Sequence, residues 1–197
     1  MRTAILSVIS ALLFHTAIAQ HKGYTDSIKV YQQKYIDSHE VVKAADKQYI
    51  RFYNISKAYC VTGQFEYIAN GEWFNMPTTT GKSQVFRKYG KVTFRIHDTT
   101  AHLFVYQSQS LINMPKYKDY LFIPFTDLTT GAGSYDNGRY IDVTTGDIHQ
   151  NRLIVDFNKA YNPYCAYLSG FSCPLPPAEN ALPVTIAAGE MKFSKPH

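Results

Sequence analysis

Residues 84–107, QVFRKYGKVTFRIHDTTAHLFVYQ, contain three strand-prone segments separated by short breaks. Gly90 separates the first two segments and predicts a hairpin turn, whereas the polar residues 97–100 turn the chain into the third segment. Upstream, residues 59–67 alternate between apolar and polar side chains and lead to Asn70-Gly71, a pair typical of hairpin turns. Four more strand-prone runs follow downstream, at residues 120–125, 139–144, 152–157 and 184–188.

The N-terminal part of the chain has a different period. Residues 24–38 carry Ile28, Tyr31 and Tyr35 at spacings of three and four, which predicts a helix, and a shorter helical piece is expected over residues 45–52. Short strands at regular spacing with polar turns favour a sandwich or a barrel over a helical fold. We therefore predict a mainly β fold, an antiparallel sandwich or barrel with an N-terminal helix packed on it.

The first residues have the three parts of a secretory signal peptide. Arg2 precedes an apolar stretch that ends in the small-x-small sequence Ala17-Ile18-Ala19. No basic stop-transfer cluster follows, and Gln20 rather than a cysteine stands at the cut, so neither a stable membrane anchor nor a lipid anchor is expected. We predict that residues 1–19 are removed after Ala19, that the protein is periplasmic or secreted, and that residues 20–197 form a single β-rich domain.

Composition and charge restrict the classes of function. A chain with 45% hydrophobic and 18% charged residues is a folded globular protein. The formal net charge is +5, or +4 without Arg2, but the basic residues are scattered, so no nucleic-acid partner is expected. No metal site is expected, because His-x-His and His-Glu-x-x-His sequences are absent. No cofactor is expected either, because Gly131-Ala132-Gly133 lacks the strand-then-helix context of a phosphate-binding loop.

Several segments stand apart from ordinary strand and turn sequence. They are GRYID (138–142), DFNKAYNPYCAY (156–167), CPLPPAEN (173–180) and AGE (188–190), together with MPTTTG (76–81) and LFIPFTD (121–127). In order and spacing these segments resemble domain-of-unknown-function family 1684, which includes exported bacterial proteins. The family brings no established activity. The resemblance implies that its signature positions are Arg139, Asp142, Asn158, Tyr161, Asn162, Cys165, Cys173, Glu179 and Asn180.

Cys165 and Cys173 allow three interpretations. In an oxidising compartment they are expected to form a disulfide that closes a short loop. A metal site would need further ligands, and a nucleophilic Cys165 would need a nearby base. The candidate bases His97, His102 and His149 lie outside the shared motifs. We predict the disulfide, with Cys60 left as a free, buried thiol.

The polar residues of the motifs also allow two interpretations. Side chains alternate along a strand, so Asp142 faces away from Arg139, and Asp156 and Asn158 share one face. If these two strands were neighbours, the acidic and amide side chains would join Arg139 or Lys159 in one polar patch. The patch would be either a structural hydrogen-bond network or a pocket for a small anionic or polyol ligand, with Arg139 as donor and tyrosines as walls.

These interpretations give two functional hypotheses. The leading one is a non-catalytic module that binds a small polar ligand or a partner through Arg139, Asp142, Asn158, Tyr161, Asn162, Glu179 and Asn180. The alternative is an enzyme, such as a hydrolase, that uses Arg139, Asp142, Asn158, Cys165 and Glu179. Binding is favoured because the motif residues do not assemble into a complete nucleophile and base pair.

Overall fold

The computed structural model describes residues 23–195, so the predicted signal peptide, residues 1–19, lies outside the described residues. Helix α1 covers residues 23–38, the short helix α2 is Gln109–Ile112, and a 3-10 helix, Ala44–Tyr49, stands where a helical piece was predicted. The strands are β1 (Cys60–Tyr67), β2 (Trp73–Pro77), β3 (Ser83–Ile96), β4 (Thr99–Ser108), β5 (Tyr120–Phe125), β6 (Arg139–Thr144), β7 (Ile148–His149) and β8 (Arg152–Asp156). The predicted mainly β fold with an N-terminal helix is confirmed.

The strands form one curved antiparallel sheet in the order β6-β5-β4-β3-β1-β8-β7, with β2 beside the first half of β3. Strands β1, β3, β4, β5, β6 and β8 all contribute to one apolar cluster, in which Val92, Leu103 and Leu121 are fully buried. The sheet therefore curls around this core. Near one end of the curl, Tyr140 in β6 and Tyr161, which follows β8, exchange two backbone hydrogen bonds with N···O distances of 2.9 and 3.0 Å.

Two predicted hairpins are wrong, and both errors involve a glycine. Gly90 lies inside the continuous strand β3, where the register against β4 shifts, and a Cβ on it would stand 2.1 Å from the Phe65 ring. The strands on either side of Asn70-Gly71 both pair with β3 and not with each other, and a Cβ on Gly71 would stand 2.2 Å from the Lys88 carbonyl oxygen. In both places the glycine permits close packing of neighbouring chain segments.

Residues 184–188 are not a strand, contrary to prediction. Their backbone groups bond largely to side chains: the Ile186 amide donates to Asp127, and the carbonyl oxygens of Ile186 and Ala188 accept from Arg139. Side chains therefore satisfy this buried segment in place of a neighbouring strand. Strands β2 and β7 were not predicted, because β7 has only two residues and β2 ends in Pro77.

Helix α1 packs on the chain that follows β8. Ile28 is buried, and the Gln32 side-chain amide donates to the Asn158 carbonyl oxygen at 3.2 Å. The Tyr24 hydroxyl donates to Asp156 at 2.9 Å. Within residues 23–195 no helix has the length and apolar character needed to cross a membrane.

A buried ion pair holds the C-terminal segment against the sheet. Arg139 Nη2 lies 2.8 Å from Asp127 Oδ2, and the two side chains are 0% and 1% exposed. The guanidinium also donates to the Ile186, Ala188 and Glu190 carbonyl oxygens. Because the charges of Arg139 and Asp127 match each other, removal of either partner leaves the other charge buried and uncompensated.

We expect Asp127→Asn to lower the free energy of unfolding by about 3–5 kcal/mol, since it leaves the Arg139 charge buried without its partner. The matched control is Asp136→Asn, which breaks the exposed pair with Lys192 and is expected to cost less than about 1 kcal/mol. Urea unfolding followed by circular dichroism measures both. Equal losses in the two variants would contradict a special role for the buried pair.

Candidate functional site

The structure distributes the predicted site residues among several separate networks. Strands β6 and β8 are not hydrogen-bonded to each other, but Asp142, Asp156 and Lys159 line one groove between them. Arg139 and Asn158 are fully buried and do not join this group, so only part of the expected polar patch forms. Arg139 lies in the interior with Asp127. The buried Asn180 side chain bonds to both backbone groups of Phe104 and to the Pro124 carbonyl oxygen, and it therefore ties β4 to β5.

Asn158 and Asn162 hold the chain that follows β8, and both are fully buried. The Asn158 side chain donates to the Tyr24 hydroxyl and the Ser56 carbonyl oxygen, both at 2.9 Å, and accepts from the Ser56 amide at 3.0 Å. The Asn162 side chain donates to the Met191 carbonyl oxygen at 2.8 Å. These contacts join distant parts of the chain, so both side chains act in holding the fold together.

Glu179 lies elsewhere, beside a cavity of 590 Å³ that also contains Lys88. Its carboxylate accepts from the Tyr106 hydroxyl at 2.7 Å and pairs with Lys88 Nζ at 2.9 Å. This cavity is larger than the 420 Å³ cleft beside Asp142, but the Glu179 carboxylate is already paired with Lys88. We therefore place the candidate site around Asp142, whose charge is not matched in this way.

Asp142 and Tyr161 do come together, in a cleft of 420 Å³ on the outer face of the sheet. Its walls are Tyr31 and Tyr35 from α1, Tyr140 and Asp142 from β6, Tyr161, and side chains from the segment 163–174. Tyr140 and Asp142 point outward because the residues between and beyond them, Ile141 and Val143, belong to the core. The alternation of β6 thus supplies the floor of this cleft, which we call the tyrosine cleft.

The Asp142 carboxylate is the charged group of the tyrosine cleft. The hydroxyls of Tyr120 and Tyr161 donate to its Oδ1 at 2.8 and 2.7 Å. In the part of the chain that the structure describes, no basic side chain forms an ion pair with it. Part of the Asp142 side chain is exposed, but the protein packed around the carboxyl group desolvates it and so raises its pKa. The hydrogen bonds from Tyr161 and Tyr120 lower the pKa and offset only part of this rise.

The predicted Cys165–Cys173 disulfide is present and fixes one wall of the cleft. Thr79 reinforces this wall, because its hydroxyl donates to the Phe171 carbonyl oxygen at 3.1 Å. Cys60 is a free thiol, as predicted, but it is half-buried rather than fully buried. A bonded Cys165 has no thiolate and cannot act as a standing nucleophile.

Glu190 is a central residue that the sequence analysis did not assign, although it ends the AGE motif. It is fully buried and accepts hydrogen bonds from the hydroxyls of Tyr35 and Tyr167 and from the backbone N–H of Asn162. Burial raises its pKa to about 7, despite the hydrogen bonds that lower it. Through Tyr35, which also lines the cleft, Glu190 positions α1.

The chain belongs to the family described as protein of unknown function (DUF1684), whose model matches residues 46–191. It is also similar to the solution NMR structure of an uncharacterized protein of Haloarcula marismortui. The two are 24% identical, with a TM-score of 0.62 over 90% of this chain and 95% of that chain, a likeness that shows the fold alone. No curated protein matches the sequence. Among residues 23–195 no group of three or more histidine, cysteine or acidic side chains is placed to hold a metal ion.

Replacing both Cys165 and Cys173 by serine should lower the free energy of unfolding by about 2.5 kcal/mol, because the unfolded chain regains the entropy of the open loop. Cys60→Ser is the matched control, since it removes a sulfur without opening a loop. Urea unfolding under non-reducing conditions compares the variants. Thiol counting on the unfolded, unreduced wild type should find one free sulfhydryl, and a count of three would contradict the bridge.

Glu190 should make the protein less stable as the pH rises. Its pKa is raised from 4.5 to about 7 in the folded state, so the folded protein holds the proton longer than the unfolded chain. The stability present below pH 4.5 is therefore lost as the pH approaches 7, by an amount on the order of 3 kcal/mol.

Glu190→Gln, which cannot ionise, should remove this loss. Urea unfolding between pH 4.5 and 8 compares the variant with wild type, and groups that titrate in both proteins cancel in the difference. The exposed Glu72 has no such burial, so Glu72→Gln should keep the wild-type pH dependence. An unchanged slope in Glu190→Gln would contradict the assignment.

Proposed function

We propose that the protein is an exported, non-catalytic module that binds a small polar ligand in the tyrosine cleft. The observation that carries this proposal is a 420 Å³ cleft with aromatic walls and one carboxylate, Asp142, that lacks a cation partner among the described residues. Sites for small molecules are typically concave and largely apolar, with a few polar groups that orient the ligand. The tyrosine cleft has this composition.

Two features support a location outside the cytoplasm. The sequence of residues 1–19 is typical of a secretory signal peptide. A disulfide between Cys165 and Cys173 is stable in oxidising compartments and is rare in the reducing cytoplasm. The periplasm and the extracellular space both meet this condition.

The separation of the motif residues supports binding over catalysis. Arg139 and Asn158 are fully buried in hydrogen-bond networks that hold the fold together. Cys165 is bonded to Cys173, and Glu179 lies at the other cavity with Lys88. A hydrolase needs a nucleophile or activated water and a base within hydrogen-bond reach of each other, and these residues do not converge on one point.

A thermal-shift screen of the mature chain against sugars, nucleotides, amines and peptidoglycan fragments tests the proposal, because a ligand that binds the folded state raises the melting temperature. Ser172→Phe places a ring in the cleft and should abolish the shift given by a true ligand. Ser27→Phe, on the exposed side of α1, is the matched control and should keep it. Compounds that stabilise both variants equally bind elsewhere and would count against the cleft.

A further inference from the structure

The tyrosine hydroxyls around the cleft donate their protons to the protein itself. The Ser172 hydroxyl also donates to the protein, since its proton goes to the Thr78 hydroxyl oxygen at 2.7 Å. Tyr164 stands at the rim, where it is 39% exposed. The inward donations are those of Tyr31 to the Lys159 carbonyl oxygen, Tyr35 to Glu190, Tyr120 and Tyr161 to Asp142, and Tyr140 to the Pro174 carbonyl oxygen.

The cleft therefore offers acceptors and almost no donors. Each tyrosine oxygen that has donated its proton keeps lone pairs, and both tyrosine protons on Asp142 go to Oδ1, which leaves Oδ2 free to accept from a ligand. A sugar or polyol hydroxyl is both donor and acceptor, so it would find only half of its partners here. An ammonium group has three N–H donors and no acceptor, and it matches such a surface.

The charges around the cleft also favour a cationic ligand. The Arg139 guanidinium is fully buried against Asp127, which leaves the cleft without the donor that an anionic ligand would need. The nearby Lys159 makes no ion pair with Asp142, and its Nζ stands 5.5 Å from the centre of the Tyr31 ring. Of the described residues that line the cleft, Asp142 alone carries a full charge, and Lys159 lies in the adjoining groove that Asp142 also lines.

The aromatic walls complete the match. Tyr31, Tyr35, Tyr140, Tyr161, Tyr164 and Phe171 line the cleft. Aromatic faces attract cations electrostatically when the cation lies within about 6 Å of the ring centre, and more so where water is excluded. We propose that the ligand of the tyrosine cleft carries a primary ammonium group, which binds Asp142 and is enclosed by the tyrosine rings. This inference rests on the proposed binding function and adds to it the class of ligand.

Matched pairs of probes test the charge directly. The pairs are 1,5-diaminopentane with 1,5-pentanediol and glucosamine with glucose, and each is titrated into the mature chain while backbone amide NMR signals are followed. The amine should bind at least about tenfold more tightly than its neutral partner, and its shifts should map to the cleft. Nα-acetyl-lysine methylamide, compared with the same compound acetylated at Nε, shows whether a lysine side chain is the preferred source of the ammonium group.

Asp142→Asn keeps an acceptor for the hydroxyls of Tyr120 and Tyr161 but removes the charge. It should weaken amine binding by about tenfold or more, whereas Asp98→Asn, at an exposed acidic residue outside the cleft, should leave it unchanged. If Asp142→Asn proves unfolded by circular dichroism, Tyr31→Leu removes one wall ring without touching the carboxylate and should weaken the amines more than their neutral partners.

The outcomes separate this inference from the proposed function. Neutral probes that bind as tightly as the amines, and lose binding in Ser172→Phe, would overturn the ammonium proposal and leave the binding module standing. Amines that produce no shifts at cleft residues would also overturn it. The binding module itself falls only if the wider screen gives no compound whose stabilising effect depends on an open cleft.

Discussion

The guanidinium of Arg139 lies entirely inside the protein, and a charge in that position must be surrounded by acceptors. Asp127 supplies the opposite charge, and the carbonyl oxygens of residues 186–190 supply most of the remaining acceptors. The need to satisfy this one cation therefore fixes the path of the C-terminal segment across the end of the sheet. Gly189 follows from the same constraint: its φ is +74°, and a Cβ there would stand 2.6 Å from the Phe157 carbonyl oxygen.

The position of this C-terminal segment also affects the cleft, through Glu190, which follows Gly189 in the chain. Its buried carboxylate accepts hydrogen bonds from the Tyr35 hydroxyl of α1 and from the backbone N–H of Asn162. The segment held by Arg139 therefore positions both α1 and the chain after β8. Strand β6 connects the buried ion pair with the tyrosine cleft, because Arg139 faces inward while Asp142 faces outward on the same strand. The motif GRYID thus encodes a core charge on one face and a cleft charge on the other.

The sequence predicted the strands well where apolar and polar residues alternate, as in β1 and β6, and where a short apolar run occurs, as in β5 and β8. It predicted α1 from its helical spacing. It failed at Gly90 and Asn70-Gly71, because sequence does not distinguish a glycine needed for a turn from one needed for close packing. Of the cleft residues it identified Asp142, Tyr161 and the disulfide residue Cys173. It assigned Arg139 to a ligand, since a buried arginine is rare, and it missed Tyr31 and Tyr35, whose partners lie far away in the chain.

Helix α1 has a further property that concerns the order of events when the chain is made. Its hydrogen bonds to Asn158 and Glu190 span 126 and 155 positions of sequence. The helix is synthesised well before the surface on which it docks, and such non-local contacts form late in folding. A partly synthesised chain therefore has the tyrosines of α1 but no floor or opposite wall for them to face. An assembled cleft therefore requires a chain that has been made at least as far as Glu190.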